Sequence, residues 1–202
     1  MVPFTHYRVT VRFTEPVLGA VPKDPHVFET YITKKDAEGK PVQPQSDEEV
    51  ETVPIIDPNE RPGYTGFMTD DEGIFVYNYT WLGFMRERGN TLKEIFGVKA
   101  LRSKLEQTVF VLPRRIRPSH PVGDTLERPL RAMTAQGPRV TLAKSDTLPA
   151  GTTMTFRLRV LPHKEITEAM LRTIFEMGET WGFGQWRNGG WGTFEVIEFD
   201  KE

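Results

Sequence analysis

The chain has 202 residues, of which 38% are hydrophobic and 27% are charged, and its formal net charge is −2. These proportions are typical of one globular domain with a sizeable core. The sequence has no cysteine, which excludes disulfides, thiolate metal ligands and cysteine nucleophiles. No stretch approaches the about 18 apolar residues of a membrane-spanning helix, and the N-terminal residues alternate in polarity instead of forming the apolar core of a signal peptide. We therefore expect a cytoplasmic protein that does not contact a membrane.

The charges are segregated along the chain. Between residues 36 and 72, eleven acidic side chains stand against two basic ones, whereas between residues 99 and 144 ten basic side chains stand against three acidic ones. A locally basic segment in a mildly acidic protein is typical of a phosphate-binding face, although a solvated surface that balances the acidic stretch gives the same pattern. The acidic stretch is also rich in proline and lacks periodicity. It predicts a flexible, loop-rich insertion at about residues 37–72 within a single domain that spans residues 1–202.

Hydrophobic periodicity predicts alternating strands and helices. Residues 6–14 alternate between apolar and polar side chains, which indicates a strand with one buried face. An apolar stripe at helical spacing predicts a helix over residues 164–178. The other predicted helices cover residues 25–35 and about 81–96, the second interrupted near Gly89. The other predicted strands cover residues 73–79, 107–112, 139–143, 152–161 and 193–199, with 139–143 and 152–161 paired across a turn at residues 148–151.

The order of these elements predicts the fold class. Strand, helix, strands, helix and strand follow one another without a repeat or a clean linker. This order indicates an α+β fold, in which a ferredoxin-like (RRM-like) antiparallel sheet carries its helices on one face. The acidic insertion is an addition to that fold.

The most informative motif is GFGQWRNGGWG, residues 182–192. Glycine permits positive φ and a close approach of the backbone to a ligand, and successive N–H groups in such a loop can bind an anion. Arg187 adds a positive charge. Two amides and two tryptophans add hydrogen-bonding groups and stacking surfaces: Gln185, Asn188, Trp186 and Trp191. The segment therefore offers groups for a phosphate, a base edge and a base face, although a tight helix-to-strand connection that fills the core is also compatible with it.

The motif resembles the C-terminal glycine-rich loop of the RAMP superfamily: Gly182-Phe183-Gly184, five residues with a basic one among them, then Gly190-Trp191-Gly192. RAMP proteins are the ferredoxin-like, RNA-binding subunits of CRISPR effector complexes and the related guide-RNA-processing nucleases. Upstream, LPAGTTMTFRLRV (148–160) is similar to the strand that precedes the last helix in the backbone-forming subunits. YTWLGFMR (79–86) resembles a helix start of those subunits, with Gly83 and Arg86 in two of its positions and Leu82 in place of an expected lysine. The chain is also similar to small stand-alone RAMP-like proteins of phages and prophages.

The resemblance implies a non-enzymatic RNA-binding protein, located in the host-cell cytoplasm if it is phage-encoded. It implies RNA as the partner and either a homo-oligomer or an effector complex as the assembly. Two alternatives stay open: a protein that sequesters small anionic nucleotides such as second messengers in counter-defence, and a metal-independent RNA endonuclease. The expected RNA- or nucleotide-binding residues are Gly182, Gly184, Gln185, Trp186, Arg187, Asn188, Gly190, Gly192, Arg114, Arg115, Arg117, Arg131 and Arg86. Arg128 lies in the same basic segment, which we expect to contact phosphates.

The sequence offers little for catalysis. Cleavage of RNA without a metal needs a general base for the 2′-hydroxyl, usually a histidine. The processing RAMPs keep a histidine near the first helix, where His26 lies in this chain, but the sequence identifies no partner group for it. We therefore expect no catalytic residue, with His26 as the sole candidate. No acidic motif predicts a metal site, and no cofactor is expected.

Overall fold

A computed structural model describes residues 3–23, 63–134 and 137–202, with backbone alone for residues 130–141. Its strands are β1 (Thr5–Phe13), β2 (Val17–Leu18), β3 (Val21–Pro22), β4 (Tyr64–Gly66), β5 (Met68–Asp70), β6 (Gly73–Tyr77), β7 (Val109–Leu112), β8 (Arg115–Ile116), β9 (Thr125–Thr134), β10 (Gly137–Leu148), β11 (Thr153–Val160) and β12 (Phe194–Lys201). Its α-helices are α1 (Asn78–Leu92), α2 (Leu101–Thr108) and α3 (Glu168–Glu176). None of these described helices is long and apolar enough to span a membrane.

The central sheet has four antiparallel strands in the order β12-β1-β11-β7. The first and third of these strands in the chain lie in the middle, which is the ferredoxin-like order. As the alternation predicts, Tyr7, Val9, Val11 and Phe13 of β1 are buried, and they belong to one core cluster with side chains of all three helices. The predicted α+β, ferredoxin-like fold is thereby confirmed.

An aromatic cluster around Trp81 forms the centre of the core. The Trp81 side chain is fully buried in α1, and its ring lies 4.1 Å from that of Phe183 and 4.7 Å from that of Phe156. Phe183 belongs to the glycine-rich segment. The core therefore anchors the beginning of that segment at the end of the central sheet.

A second sheet has the order β2-β10-β4-β3, and β9 pairs with β10 over ten residue pairs. The predicted pairing of residues 139–143 with 152–161 is wrong. The chain leaves the second sheet at Leu148, which pairs with Val17, and β11 then joins the central sheet beside β1. The turn at residues 148–151 thus connects two sheets instead of two neighbouring strands.

Several predicted boundaries differ from the structure. Helix α1 runs without interruption through Gly89. Glycine at this position makes room for the neighbouring helix α2, because a Cβ would lie 2.4 Å from Leu105 Cδ1. The final helix is shorter than predicted and begins after Thr167, whose Oγ1 accepts a hydrogen bond from Met170 N–H at 3.2 Å. The end of the predicted insertion forms β4 and β5; the rest of it to residue 62, together with the predicted helix over 25–35, lies outside the described residues.

Candidate nucleic-acid interface

The glycine-rich loop, residues 182–192, is closed at its base by its own backbone. The Phe183 N–H donates a hydrogen bond of 2.8 Å to the Gly192 carbonyl. A Cβ on Gly182 would lie 1.9 Å from the Trp191 carbonyl oxygen, and one on Gly192 would lie 2.0 Å from the Phe183 oxygen. Both positions therefore require glycine so that the two arms of the loop can cross.

Gln185 attaches the loop to the second sheet. Its N–H donates to the Leu18 carbonyl at 3.2 Å. Its side-chain oxygen accepts hydrogen bonds of 3.1 Å from the Thr65 hydroxyl, the Ser145 hydroxyl and Arg128 Nη2. Gly184, with φ of 86°, lets the chain pass the Leu18 carbonyl, which would lie 2.9 Å from a Cβ. The Gln185 oxygen is thus used inside the protein.

The tip of the loop presents Trp186. This residue has left-handed backbone angles, φ 57° and ψ 29°, and 43% of it is exposed. Its ring lies 6.4 Å from that of Trp191 with 13° between the planes, and the guanidinium of Arg128 lies 4.6 Å from its centroid. Among the predicted site residues, Asn188 is exposed, and no atom of the described residues lies within 4 Å of the position of a Cβ on Gly190. The tip offers an aromatic surface, an exposed amide side chain and an exposed glycine.

Arg187 joins the loop to α1. Its Nη2 lies 2.8 Å from Glu87 Oε2, and Glu87 also forms an ion pair with the buried Arg88. Arg187 is half-buried, with 27% of its side chain exposed. Its charge is therefore at the edge of the loop, already in contact with a carboxylate.

Arg128 is buried beneath the loop. It is 5% exposed, and it donates to Ser145 Oγ at 3.2 Å and to the Gln185 oxygen. Its Nε has no hydrogen-bond partner among the described residues, and burial lowers the pKa of its guanidinium from the usual value. The sequence shows Arg128 in a basic segment but carries no sign that it is buried. It carries no sign of Thr65 or Ser145 either, because their contacts with the loop join residues 120 and 40 positions apart.

Two of the predicted phosphate ligands form ion pairs on β8 and just after it. Arg115 Nη1 lies 2.7 Å from Asp70 Oδ2, and Arg117 Nη2 lies 2.8 Å from Asp70 Oδ1 and from Glu72 Oε2. Burial by itself would raise the pKa of Asp70, but hydrogen bonds from Arg117 hold it below the ordinary value of 3.8. These two arginines are therefore partly neutralised by the acidic residues of the β5–β6 turn.

Arg114 belongs to a separate aromatic cluster at the start of α1. Its guanidinium lies 5.7 Å from the centroid of Tyr77, whose ring stacks on that of Tyr79 at 5.2 Å and 20°. Tyr79 is 56% exposed. This cluster repeats the combination of an exposed aromatic ring with an arginine that the loop tip shows.

The remaining predicted residues do not converge on the loop tip. Arg86 lies 3.5 Å from Glu106, and its Nε is buried with no partner in the described ranges. The side chain of Arg131 and all of His26 lie outside the described residues. Within the described ranges, no group of three histidine, aspartate or glutamate side chains could hold a metal ion.

Three arginines on the outer face of the central sheet are paired with carboxylates. Their partners are acidic side chains of β12 and the residue after it: Arg8 with Glu198 at 3.3 Å, Arg12 with Glu195 through a 2.7 Å hydrogen bond, and Arg157 with Glu202 at 3.0 Å. In the part of the chain that the structure describes, this face is therefore not a continuous track of unpaired positive charge.

The fold and the loop together define a ferredoxin-like α+β protein with a glycine-rich loop at one end of its central sheet. No family model matches the sequence, and no curated protein matches it. Among solved structures, the fold is similar to that of a chain in the cryo-EM structure of the type III-B Cmr-beta bound to cognate target RNA, with a TM-score of 0.53 and 10% sequence identity. The likeness covers 98% of this chain and 60% of that chain, so this chain spans less than two thirds of its neighbour's length. At such identity the likeness shows the fold alone.

Proposed function

We propose that this chain is a RAMP-like RNA-binding protein whose glycine-rich loop binds a short stretch of single-stranded RNA. The observation that carries the proposal is the loop tip, where Trp186 is exposed beside Arg128 and Arg187. Aromatic rings on which bases stack, next to arginines that attract phosphates, are the common elements of single-strand recognition. The structural neighbour is a chain of a type III-B Cmr-beta that is bound to cognate target RNA, which supports the same choice of ligand.

The groups at the loop have distinct roles in this proposal. A base stacks on Trp186, the Asn188 amide reaches a base edge, and Arg187 contacts a phosphate at the rim of the loop. The cluster of Arg114 and Tyr79 supplies a second stacking position. Tyr79 and Glu87, which is the ion-pair partner of Arg187, are eight residues apart on α1, about 12 Å along the helix axis. The two proposed contact positions, at Tyr79 and at Arg187, therefore both lie beside α1.

The ion pairs of the described residues favour a second candidate, a small anionic nucleotide. Long RNA is usually held by many unpaired cations along its backbone. Here Arg8 and Arg157 on the outer sheet face and Arg115 on β8 contact carboxylates. A ligand of one or a few nucleotides needs only the loop tip, so the length dependence of binding separates the two candidates.

The test is fluorescence anisotropy with labelled single-stranded RNA of two lengths, three and twenty nucleotides, and with a labelled cyclic dinucleotide. Arg187→Ala should weaken binding by about 1–3 kcal/mol, the range for a hydrogen bond to a charged group. The slope of log affinity against log salt should become shallower by about one. Arg102→Ala, which removes an exposed charge from α2, is the control and should leave affinity unchanged.

The partner of Arg187 allows a sharper version of this test. Glu87→Gln removes the carboxylate but keeps Arg187, and should leave affinity unchanged or raise it, because less competition acts on the arginine. Equal affinity of wild type and Arg187→Ala for every probe would contradict the proposal. A large loss of folding stability in Arg187→Ala would identify the arginine as a clamp between the loop and α1.

We infer that the protein is not a nuclease. Purified protein incubated with RNA and no added metal should leave the RNA intact, and His26→Ala should not alter binding. Metal-independent cleavage that His26→Ala abolishes would replace the binding proposal with the endonuclease alternative. Assembly into a homo-oligomer or an effector complex, a phage origin and a cytoplasmic location stay predictions.

A further inference from the structure

The glycine-rich loop covers a buried cation that no described carboxylate neutralises. Arg128 is 5% exposed, and among the described residues its hydrogen-bond partners are the neutral Ser145 and Gln185. Its Nε is buried and has no partner in the part of the chain that the structure describes. Buried charges in proteins are normally paired, because the charge has lost its hydration. The position of Arg128 therefore calls for an explanation beyond the stability of the fold.

The Arg128 guanidinium is held against the ring of Trp186, the exposed tryptophan of the loop. The two hydrogen bonds fix its plane, and its centre lies 4.6 Å from the centroid of the Trp186 ring. Trp186 itself has a φ of 57°, which bulky residues rarely adopt. Strained backbone of this kind persists where surrounding contacts hold it, and such positions cluster at binding sites.

We propose that Arg128 and Trp186 form a subsite for one nucleotide, in which the base stacks on the exposed part of the indole and the charge of Arg128 attracts the phosphate of the same nucleotide. This subsite rests on the proposed function and narrows its ligand to a nucleotide unit, either within RNA or free. Trp186 contacts the ligand. Arg128 is buried and is a positioning residue: it holds the indole in place, and its charge attracts the phosphate without direct contact.

Arg128 can attract an anionic ligand because no carboxylate among the described residues neutralises its charge. A cation against an aromatic ring is attracted by the ring electrons, and the attraction is stronger when the cation is desolvated. Because the interior has a low effective dielectric constant, the electrostatic attraction of this charge also reaches a ligand at the loop tip. Arg187, in contrast, has Glu87 at 2.8 Å. An anionic ligand at Trp186 thus completes the charge balance that the fold leaves open.

The experiment is a double-mutant cycle measured with fluorescein-labelled oligouridylate and oligoadenylate of ten nucleotides, and by competition with UMP and AMP. Trp186→Ala and Arg128→Gln should each weaken binding at least tenfold. Their combination should be no weaker than Trp186→Ala alone, because residues that act as a unit are not additive. Arg128→Lys, which keeps the charge, should recover part of the loss. Arg172→Gln is the matched control, since Arg172 also lies over an aromatic ring, 4.9 Å from the centroid of Phe199, but on α3.

A second measurement reports on Trp186 without any ligand. Oxidation by N-bromosuccinimide, located by mass spectrometry of the peptide that contains residue 186, should proceed at a changed rate in Arg128→Gln and at the wild-type rate in Arg172→Gln. An unchanged rate, or losses of affinity that multiply in the double variant, would overturn the positioning role.

The outcomes separate this subsite from the proposed function. If wild type, Arg128→Gln and Trp186→Ala all bind RNA with the same affinity, the result supports RNA binding and refutes the subsite. Wild type that binds UMP or AMP through both residues but neither oligonucleotide supports the subsite and refutes RNA as the ligand. Binding of no probe refutes both.

Discussion

Alanine at Gly182 should destabilise the protein far more than alanine at Gly190, although both glycines belong to the same motif. A Cβ at residue 182 would lie 1.9 Å from the Trp191 carbonyl oxygen, whereas real Cβ contacts are not shorter than 3.0 Å. The two arms of the loop would have to separate by about 1.1 Å, the difference between these two distances. A Cβ at residue 190 would meet no atom of the described part of the chain within 4 Å.

The expected magnitudes follow from these contacts. Overpacking costs about 1–3 kcal/mol, and separation of the arms also weakens the 2.8 Å hydrogen bond from Phe183 N–H to the Gly192 carbonyl, worth about 1 kcal/mol. We therefore expect Gly182→Ala to lower the free energy of unfolding by about 3 kcal/mol. Gly190→Ala carries only the cost of a left-handed backbone, about 1 kcal/mol. Gly192→Ala combines both effects and should be at least as destabilising as Gly182→Ala.

Urea denaturation followed by circular dichroism measures these differences, with equal slopes expected for all variants. Equal losses for Gly182→Ala and Gly190→Ala would refute the reasoning. That result would mean that the two arms of the loop separate at little cost in free energy. Gly182 would then be required for the approach of a ligand instead of for internal packing.

Three further predictions test the core, a helix cap and a charge cluster. Trp81→Ala should cost about 3–5 kcal/mol because the side chain is fully buried among aromatic rings, whereas Ile95→Ala, at a position 78% exposed, should change the free energy of unfolding by less than about 0.5 kcal/mol. Thr167→Ala should cost about 1 kcal/mol through loss of the cap of α3, and Thr167→Ser should retain most of it. The pKa of Asp70 is lowered in the folded state, so its stabilising effect is present above the ordinary value of 3.8 and is lost as the pH falls through the lower folded value. In urea titrations at pH 6, 4 and 3, Asp70→Asn should therefore lose less stability on acidification than wild type does, and a parallel decline of the two proteins would contradict this assignment.

Local sequence patterns were sufficient for those elements whose identity depends on one buried face. The alternation from Tyr7 to Phe13 predicted β1, and the apolar stripe over residues 164–178 predicted α3, because in each case the period of the pattern matches the geometry of the element. The helix-to-strand position of the glycine-rich segment was predictable for the same reason. The helix over residues 101–108 was not predicted, since it is short and its buried side, Leu101, Leu105 and Thr108, is visible as a helical face only once α1 packs against it.

The candidate site illustrates the limit of local patterns more directly. The motif at residues 182–192 indicated by itself a loop with aromatic, amide and cationic groups, because all of them lie within eleven consecutive residues. The tertiary structure alone decided which of these groups are available: Gln185 is bound to Thr65 and Ser145, Arg187 contacts Glu87, and Trp186 is left exposed. It also decided that Arg115 and Arg117 pair with Asp70, 45 and 47 positions earlier in the chain, and that Arg128 is buried beneath Trp186. Sequence spacing carries no record of such contacts, because they depend on which strands become neighbours in the two sheets.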